Sequence, residues 1–406
     1  VLLCGGGNAI HVLSAYISSH KEYEVNILSL FPGEAQRLQN SIPPEGIRCI
    51  DDLKLVVCGK PNIVTDDPKR AQNADVVIFA LPNFAHDLYL QALKPFIKEG
   101  ITLGAMPGEG GFDMCVHHNL GSEFFKNSNI FALETLPWAC RIEEYGRFVQ
   151  VLGTKKKVEV AVSPKMGELS QVTLNVLHSL IGCLPELKLA NNFLSVTLMN
   201  PNSLAHPTIS YGFYRDKDVN DSFDEPPLFY QGADNFTCEK LAKLSDEVLE
   251  IGRALKETYP TLDLSTLCHL SEWIIQSYGD SIGDKRSIYA MLQSTPAWRG
   301  LKHPMIAVKT DNGIKFVPNF KYRYFTEDLP CGLVVTKGIA SLAGVKTPHM
   351  DEVILWCQKM LGKEYIVDGE LKGKHVSSTR CPQAYGFHNL DSFMKMHNYI
   401  AEEAQV

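Results

Sequence analysis

The first eight residues constrain the fold most strongly, because they join a short apolar run to three consecutive glycines. They read Val-Leu-Leu-Cys-Gly-Gly-Gly-Asn, and a helix-forming segment follows at once. This order is typical of a strand that turns tightly into the first helix of a dinucleotide-binding βαβ unit. Gly5 permits the tight turn, and Gly7 lacks the Cβ atom that would keep a pyrophosphate away from the backbone. The N–H groups at the helix start, near Asn8, can then bind phosphate.

The glycine pattern departs from the usual Gly-x-Gly-x-x-Gly/Ala fingerprint at its sixth position. Ile10 stands there, after Ala9, which predicts less close packing between the helix and the strand. Glycine turns also serve purely structural ends, but this one follows an apolar strand directly, which favours a dinucleotide site. The residues that we assign to the cofactor turn are Gly5, Gly6, Gly7, Asn8 and Ala9.

Strand-like and helix-like segments alternate through the first half of the chain. Residues 74–81 form a nearly continuous apolar run, as do parallel strands that are covered on both faces. Further strands are predicted at residues 25–30, 101–105, 129–133, 147–153 and 157–163, and helices at residues 34–40 and 84–96. Residues 53–58 and 62–65 are predicted to form a β-hairpin. The alternation predicts an α/β Rossmann-type, doubly wound sheet in a dinucleotide-binding domain of residues 1–196.

Long amphipathic helices dominate the second half of the chain. They are predicted at residues 166–181, 190–199, 238–258, 265–278, 288–293, 351–361 and 390–401. Strand-like runs are rare there, the clearest being residues 306–308 and 314–317. A chain of 406 residues is too long for one ordinary core, so two domains are expected. The second domain, residues 197–406, is predicted to be mainly α-helical and to carry the substrate and catalytic residues.

The overall charge and the cysteines exclude several classes of protein. A net charge of −7 gives no basic face for nucleic acid and no polybasic patch for a membrane surface. No apolar run approaches about 18 residues and no secretory signal pattern is visible, so no membrane span is expected. The 11 cysteines include no Cys-x-x-Cys pair, which predicts reduced thiols and a cytoplasmic location. No metal site is expected, since His86, His117 and His118 lack acidic or cysteine neighbours at ligand spacing.

The end of the second predicted strand bears on the choice between NAD and NADP. In NAD-binding units an acidic residue there binds the ribose 2′-hydroxyl, but this strand runs into Phe31-Pro-Gly with no acid before Glu34. Arg37, in the following turn of helix, could face the 2′-phosphate of NADP or be an ordinary surface charge. The residues therefore leave the choice open. We assign Phe31 and Arg37 to cofactor binding, and expect Leu81 and Pro82 to flank the nicotinamide half.

The second half supplies candidates for proton transfer and for binding a carboxylate. His206 precedes Pro207, and Arg323 lies five residues ahead of Asp328. Histidine suits acid–base catalysis because its unperturbed pKa lies near ~6.5, and a carboxylate on its other ring nitrogen fixes the tautomer. The planar fork of arginine binds carboxylates in a bidentate manner. The spacing of these residues is not specific, and a lone histidine near a proline more often has a structural role.

Six short motifs, spread along the whole chain, are distinctive as an ordered set. They are Cys-Gly-Gly-Gly-Asn at residues 4–8, Glu-Thr-Leu-Pro-Trp-Ala-Cys-Arg-Ile at 134–142, Pro-Leu-Phe-Tyr-Gln-Gly at 227–232, Arg-Tyr-Phe-Thr-Glu-Asp at 323–328, Gly-Lys-Glu-Tyr at 362–365 and Thr-Arg-Cys-Pro-Gln at 379–383. With these motifs the chain resembles the opine dehydrogenases, in particular those of the invertebrate octopine, alanopine, strombine and tauropine dehydrogenase type.

The resemblance implies a fold, a reaction and a cofactor. It implies a Rossmann domain joined to a helical domain, with the active site in the cleft between them. The implied reaction is the reversible, NADH-dependent reductive condensation of pyruvate, or another 2-oxo acid, with an amino acid or taurine. The resemblance therefore favours NAD over NADP and gives Arg37 no special role. By analogy with relatives of this type, it also implies a monomer.

Carried over position by position, the resemblance assigns three catalytic residues. His206 matches the catalytic histidine of the family, Asp328 the aspartate that orients it, and Arg323 the arginine that binds a substrate carboxylate. We expect His206 to transfer protons while Arg323 holds the 2-oxo acid, so that only one face of the imine meets the hydride.

Four further residues are expected beside the substrates. Thr135 matches a residue beside the 2-oxo acid, and Glu134 with Cys140 the region around the distal end of the amino substrate. Glu109 stands where octopine-type relatives have a glutamine, and its charge would repel a substrate carboxylate unless it points away or contacts the amine. The residues just before His206 also lack the aromatic side chain expected beside an arginine substrate. Both departures count against L-arginine, and the amino substrate stays open among arginine, alanine, glycine and taurine.

Two other interpretations are open on the residues alone. Lys188 and Asn192 are four residues apart, which would place them on one helix face, as in reductases of the β-hydroxyacid and ketopantoate type. Such an enzyme would reduce a simple ketone and need no amine; the plainer interpretation is a helix start with a capping asparagine. The other alternative is a non-catalytic NAD(H)-binding protein, and the presence of His206, Arg323 and Asp328 counts against it.

Overall fold

The structure, a computed structural model, describes residues 1–108, 110–163, 167–182, 184–218, 221–311 and 313–398. It divides into two compact units, Val1–Val196 and Thr197–Val406. Each unit encloses a cluster of buried apolar side chains of its own. Among the helices of the described residues, none is long and apolar enough to cross a lipid bilayer.

The strands of the first unit form two sheets. In chain order they are β1 Leu2–Cys4, β2 Asn26–Leu28, β3 Ile47–Ile50, β4 Val56–Gly59, β5 Ile63–Thr65, β6 Val76–Phe79, β7 Thr102–Ala105, β8 Asn129–Leu133, β9 Trp138–Glu144, β10 Phe148–Thr154, β11 Lys157–Ser163 and β12 Glu186–Leu189. The larger sheet has the order β12-β11-β8-β7-β6-β1-β2-β5 and is parallel except between β8 and β11. The smaller sheet has the order β4-β3-β10-β9.

The strand order of the larger sheet reverses at β1. From β1 the chain builds β2 and β5 on one side, then β6, β7 and β8 on the other. In doubly wound sheets ligands bind at this switch point, beyond the carboxyl ends of the strands. The helices that connect these strands are α1 Asn8–Ser18, α2 Glu34–Ser41, α3 His86–Leu93, α4 Phe112–Leu120, α5 Ser122–Asn127 and α6 Gly167–Ile181. The predicted Rossmann-type doubly wound fold is confirmed.

The predicted β-hairpin at residues 53–58 and 62–65 is wrong. β4 pairs antiparallel with β3 in the smaller sheet, whereas β5 pairs parallel with β2 in the larger one. The Asn62 side chain accepts a hydrogen bond from Val25 N at 3.2 Å, and this contact holds the start of β5 beside β2. Alternating side chains indicate that a segment is a strand, but its partner is selected by tertiary packing.

The remaining elements make the second unit mainly helical, as predicted. Helix α7 Phe193–Leu198 spans the boundary between the two units. The second unit then contains α8 Pro201–Tyr214, α9 Asn235–Thr258, α10 Leu270–Tyr278, α11 Ile288–Ser294, α12 Arg323–Thr326, α13 Val334–Leu342, α14 Pro348–Leu361 and α15 Leu390–Met396, with the antiparallel pair β13 Met305–Thr310 and β14 Gly313–Pro318. Gly212 lets α8 approach α9 closely, because a Cβ atom there would overlap the Thr237 side chain.

The placement of Lys188 and Asn192 on one helix face is wrong. Lys188 lies in β12, paired with Glu159 of β11, so the predicted helix at residues 190–199 begins only at Phe193. The Asn192 side chain accepts a hydrogen bond from Ser195 N at 3.0 Å and caps α7, as the plainer interpretation expected. Strand pairing with β11 overrides the local helical pattern here. The proposed lysine–asparagine pair of a simple ketone reductase therefore has no common helix to carry it.

Candidate active site

The turn after β1 is built around Gly5. This residue has a φ of +124°, and a Cβ atom on it would lie 3.0 Å from Ala80 O. Both facts require glycine, because other residues rarely adopt this backbone conformation. Gly5 N donates to Leu28 O at 2.9 Å, which extends the β1–β2 pairing into the turn. The sequence motif thus closes the turn at the switch point of the sheet.

The start of α1 fits a phosphate group. Gly7 is the N-cap residue and has no side chain with which to cap the helix, so the N-cap leaves the first N–H groups of α1 available. A Cβ atom on Gly7 would meet nothing within 4 Å, and this open space at a helix N-terminus suits a pyrophosphate. Ala9 is buried, and the Asn8 side chain accepts a hydrogen bond from Ile142 N at 2.8 Å. Asn8 therefore offers its backbone rather than its side chain.

Glu34 lies closer to the glycine turn than the sequence indicated. Ser29, just after β2, donates from Oγ to Glu34 Oε2 at 2.5 Å. The carboxyl group lies against Gly6, where a Cβ atom would come within 2.5 Å of Glu34 Cδ. This is the region in which NAD-binding units hold the ribose hydroxyls with an acid. The missed signal is Gly33, whose φ of +71° turns the chain so that Glu34 starts α2 beside the turn.

Arg37 is an exposed partner of the same carboxylate. Its guanidinium lies 3.6 Å from Glu34 Oε1 and 4.3 Å from the centre of the Tyr145 ring. The side chain is 64% exposed. Since the carboxylate of Glu34 would repel a 2′-phosphate next to it, this arrangement favours NAD over NADP.

Phe31, Leu81 and Pro82 lie at the same edge of the sheet. Phe31 follows β2, and its ring centre is 6.4 Å from that of Tyr89. Leu81 and Pro82 follow β6; Leu81 is buried and its carbonyl accepts a hydrogen bond from His86 Nε2 at 3.3 Å. Because β1, β2 and β6 are parallel, the turns after them share one edge with the glycine turn. The predicted cofactor residues of the first unit are therefore brought together by its sheet.

Glu134, Thr135 and Cys140 are buried in the first unit. Glu134 and Thr135 follow β8, and the Glu134 carboxylate accepts a hydrogen bond from Glu159 N at 3.1 Å. Cys140 lies in β9, and burial raises the pKa of its thiol to about 11. Glu109, the fourth predicted substrate residue, lies outside the described residues.

Lys155 is a candidate site residue, beside two predicted substrate residues, that sequence reasoning missed. It follows β10, and its Nζ donates to Leu136 O at 2.8 Å. Burial lowers the pKa of its ammonium to about 8, although the charges of Glu134 and Cys140 act in the opposite direction. The ammonium thus links both predicted substrate residues electrostatically. It stands in a run of three lysines, a pattern that is typical of an exposed surface, so its partial burial could not be predicted from the sequence.

In the second unit, helix α8 positions His206. Asn200 caps the helix by accepting a hydrogen bond from Ser203 N at 3.2 Å, and Pro201 occupies its first turn. Pro207 stands inside the helix directly after His206. His206 itself is buried, at 7% exposure. Helix α8 carries little charge, so the partner of this buried ionisable side chain comes from another element.

His206 and Asp328 form a buried hydrogen-bonded pair across 122 residues of sequence. His206 Nδ1 donates to Asp328 Oδ2 at 2.7 Å. Asp328 is 1% exposed, and its Oδ1 has no hydrogen-bond partner among the described residues. Within the described residues, the imidazole is thus the hydrogen-bond partner of the Asp328 carboxylate. The pair fixes the proton on Nδ1 and leaves Nε2 as the basic atom, which is the arrangement that acid–base catalysis needs.

Aromatic rings surround the imidazole. Tyr324 stacks on it, with ring centres 3.7 Å apart and planes inclined by 20°. Tyr230 Oη lies 3.1 Å from His206 Nε2, and the Phe229 ring meets the imidazole edge-on at 5.7 Å. Burial raises the pKa of Tyr230 well above its ordinary range, and the nearby Asp328 adds to the effect. The Tyr230 hydroxyl is therefore protonated at neutral pH.

Arg323 lies on the same turn as Asp328. Its carbonyl accepts a hydrogen bond from Asp328 N at 3.2 Å, and its Nε lies 3.1 Å from Oε2 of the buried Glu327. The Arg323 side chain is 52% exposed. Glu327 thus anchors a guanidinium that also reaches solvent, next to the residue that orients His206.

The three predicted catalytic residues thus fall within one part of the second unit. The direct contact joins His206 to Asp328, while Arg323 is tied to Asp328 through the backbone. Sequence reasoning missed Tyr230 and Tyr324, although both belong to distinctive motifs, because the imidazole that each of them contacts is far away in the chain. Within the described residues, no three His, Cys, Asp or Glu side chains gather closely enough to hold a metal ion.

Comparisons of the sequence and of the structure with known proteins agree on one kind of protein. A family model described as "NAD/NADP octopine/nopaline dehydrogenase, alpha-helical domain" matches residues 189–361. The chain is 41% identical to an opine dehydrogenase of Haliotis discus hannai, over 98% of each chain. It is 38% identical to a tauropine dehydrogenase of Arabella iricolor, over 97% of this chain and 99% of that one. The solved structure of an octopine dehydrogenase with NADH and L-arginine is 36% identical, with a TM-score of 0.88 over 99% of this chain and 98% of that one.

Proposed function

Because the chain belongs to the opine dehydrogenases, a family of NAD(H)-dependent oxidoreductases, we propose that it catalyses the reversible reductive condensation of pyruvate with an amino acid or taurine. The observation that carries the proposal is the buried pair of His206 and Asp328, which provides a proton-transfer group of fixed tautomer. In the same proposal, the first unit, residues 1–196, binds the coenzyme, and the second, residues 197–406, carries the catalytic residues.

The coenzyme is held by the edge of the larger sheet in the first unit. The N–H groups after Gly7 bind the pyrophosphate, and Glu34 accepts hydrogen bonds from the adenosine ribose. Leu81 and Pro82 border the nicotinamide half. Bound NADH supplies the hydride that reduces the imine of the two substrates. The residues of the chain bind, orient and protonate those substrates.

His206 moves the protons of the reaction. During condensation Nε2 takes a proton from the ammonium of the amino substrate and returns it to the former carbonyl oxygen, which leaves as water when the imine forms. When the opine is oxidised, Nε2 takes a proton from its secondary ammonium. Asp328 holds Nδ1–H and stabilises the imidazolium that forms, since its buried carboxylate faces the ring at 2.7 Å. This role needs no second base, because the same nitrogen serves both directions.

Arg323 binds the carboxylate of the 2-oxo acid. Its guanidinium is anchored to Glu327 at Nε, which directs the rest of the fork outward. A fixed carboxylate restricts the orientation of the substrate, and holding two substrates in register is a large part of the rate enhancement in such a reaction. Thr135 contributes on the 2-oxo acid side.

The amino substrate is bound beside Glu134, Cys140 and Glu109. Glu134 is already engaged by Glu159 N and by the charge of Lys155, so its capacity for a cationic guanidinium is reduced. We therefore favour alanine, glycine or taurine over arginine as the amine. Free thiols at every described cysteine agree with a cytoplasmic enzyme, which we propose to act as a monomer.

A substrate screen tests the proposal. The full chain is given NADH and pyruvate, with glycine, alanine, taurine or arginine, and the loss of NADH absorbance is followed. We expect oxidation that requires pyruvate and an amine together, with a product whose mass is that of the opine. Equal oxidation with pyruvate alone would instead identify a simple 2-oxo acid reductase, and no oxidation with any pair would identify a binding protein without turnover. Amine without pyruvate is the control.

A further inference from the structure

The Tyr230 hydroxyl is hydrogen-bonded to Nε2 of His206, the nitrogen that the proposed function assigns to the substrate. Its Oη lies 3.1 Å from Nε2, and Asp328 holds the opposite nitrogen at 2.7 Å. The imidazole is thus bridged between a carboxylate and a phenol. The Asp328 carboxylate accepts the hydrogen bond from Nδ1–H, so the lone pair of neutral His206 is on Nε2.

The surroundings of Tyr230 determine the direction of this hydrogen bond. Its ring stacks on Trp298, with centres 5.0 Å apart and planes inclined by 17°. It borders a cavity of about 40 Å³ whose wall is otherwise aliphatic and aromatic apart from Asn202. Among the described residues, His206 Nε2 is the hydrogen-bond partner of Oη. A hydroxyl in such a place is satisfied by donating to Nε2, whereas accepting from Nε2–H would leave its own proton without a partner.

We propose that Tyr230 is a positioning residue, which donates to Nε2 and holds His206 as the neutral Nδ1–H tautomer until a substrate takes the place of the hydroxyl. This inference rests on the proposed function, since it explains how the proton-transfer group is kept ready. Tyr230 acts through His206, and it gives up this hydrogen bond when a substrate reaches Nε2.

Several charged and titratable groups face the imidazole from the elements packed around it. Asp328 favours the imidazolium, and the Tyr324 ring stacks on the imidazole. Arg323 and Glu327 form an ion pair on the same short helix as Tyr324, and the Cys357 thiol of α14 lies against the carbonyl of the adjacent Pro207. Tyr230 is the group that opposes Asp328, because donation to Nε2 stabilises the neutral ring.

Removal of the Tyr230 hydroxyl should shift the titration of His206 in one direction. In Tyr230→Phe the neutral imidazole loses a hydrogen-bond donor, while the pull of Asp328 on the imidazolium is unchanged. We expect the titration midpoint of the His206 ring to move up by roughly half to one pH unit, the equivalent of one ordinary hydrogen bond. The pH profile for oxidation of the opine, which needs neutral His206, should move up with it.

Nuclear magnetic resonance of the imidazole nitrogens in the full chain tests the proposal. In the wild type we expect Nε2 to be of the pyridine type and Nδ1 to carry the proton. The titration is then repeated in Tyr230→Phe and in the matched control Tyr278→Phe, which removes a hydroxyl from the same aromatic group beside Trp298. The control should titrate as the wild type does.

The outcomes separate cleanly. An upward shift confined to Tyr230→Phe supports the proposal, and an unchanged or lowered midpoint overturns it. Should Tyr230→Phe fail to fold, the wild-type spectrum decides alone, because a proton on Nε2 of the neutral ring overturns the proposal. The titration does not depend on turnover. If His206→Ala retained full activity while the shift was present, the proposed function would fail and the role of Tyr230 would stand.

Discussion

The candidate sites of the two units differ in the groups that form them: backbone groups in the first unit and side chains in the second. The proposed coenzyme site of the first unit is mostly backbone: a glycine turn, the start of α1 after Gly7 and the ends of parallel strands. The candidate catalytic site of the second unit consists of side chains, with His206 held between Asp328 and Tyr230. In the proposed function, the first site binds an anion with main-chain N–H groups and a helix dipole, and the second sets the tautomer of His206 by burial and hydrogen bonds.

The difference decides how each site tolerates change. A backbone site depends on a few positions where a side chain would intrude, and most other residues in it can vary. A buried side-chain network depends on each member, because removing one leaves another polar group without its partner. Substitutions in the first unit should therefore affect coenzyme binding, and those in the second unit should affect turnover or the binding of the 2-oxo acid.

The largest effect is expected from loss of the imidazole. His206→Ala should lower kcat about 10²- to 10⁴-fold, the usual contribution of a general acid–base, while the Kd for NADH changes little. Steady-state rates and a fluorescence titration with NADH measure the two quantities. His206→Asn keeps an N–H donor for Asp328 and guards against misfolding, and the exposed His20→Ala is the control. Turnover within a few-fold of the wild type would remove His206 from its role and break the comparison.

Arg323 should affect the binding of the 2-oxo acid more than turnover. In Arg323→Ala the apparent KM for pyruvate should rise about 10- to 100-fold, since hydrogen bonds to charged groups contribute about 1.5–3 kcal/mol. Arg323→Lys keeps a cation for Glu327 but loses the bidentate fork, so we expect an intermediate value. Arg253→Ala, which breaks an exposed ion pair with Glu250, is the control. An unchanged KM for pyruvate with a lowered affinity for NADH would reassign Arg323 to the coenzyme.

Gly7→Ala tests the backbone site. A Cβ atom there meets nothing in the protein, so the melting temperature should stay the same. It would occupy the space of the pyrophosphate, and we expect the Kd for NADH to rise roughly tenfold, the equivalent of about 1.4 kcal/mol. Gly153→Ala, whose Cβ would also lie in open space, is the matched control. Equal NADH affinity in both variants would show that the pyrophosphate does not approach Gly7.

The smallest effect concerns the partly buried ammonium of Lys155. Its pKa is lowered from 10.5 to about 8 in the folded chain, so between these values the unfolded chain binds more protons. The contribution of Lys155 to the free energy of unfolding must therefore rise with pH across this window. Lys155→Met should lose that rise, and the exposed Lys156→Met should keep it. Denaturant unfolding at several pH values measures it, and parallel curves for Lys155→Met and the wild type would contradict the burial of the charge.

The sequence was most informative where neighbouring residues share one task. The run from Val1 to Asn8 predicted a strand, a turn and a helix start, because the geometry of such a unit is local. It was least informative where pairing partners are remote. The segments of β4 and β5 resemble a hairpin, yet they join different sheets, and Glu34 reaches the glycine turn only because the chain bends at Gly33.

By itself, the sequence determined the doubly wound sheet, the helical second half, the cofactor turn and, through its ordered motifs, the family. These features follow from local periodicity and from short motifs whose neighbouring residues share one function. Only the tertiary structure decided that Tyr230 holds the nitrogen of His206 opposite Asp328, and that Lys155 is a partly buried cation rather than a fully exposed surface charge. The physical reason is that burial and hydrogen bonding depend on distances in space, and residues 122 positions apart carry no local record of such a distance.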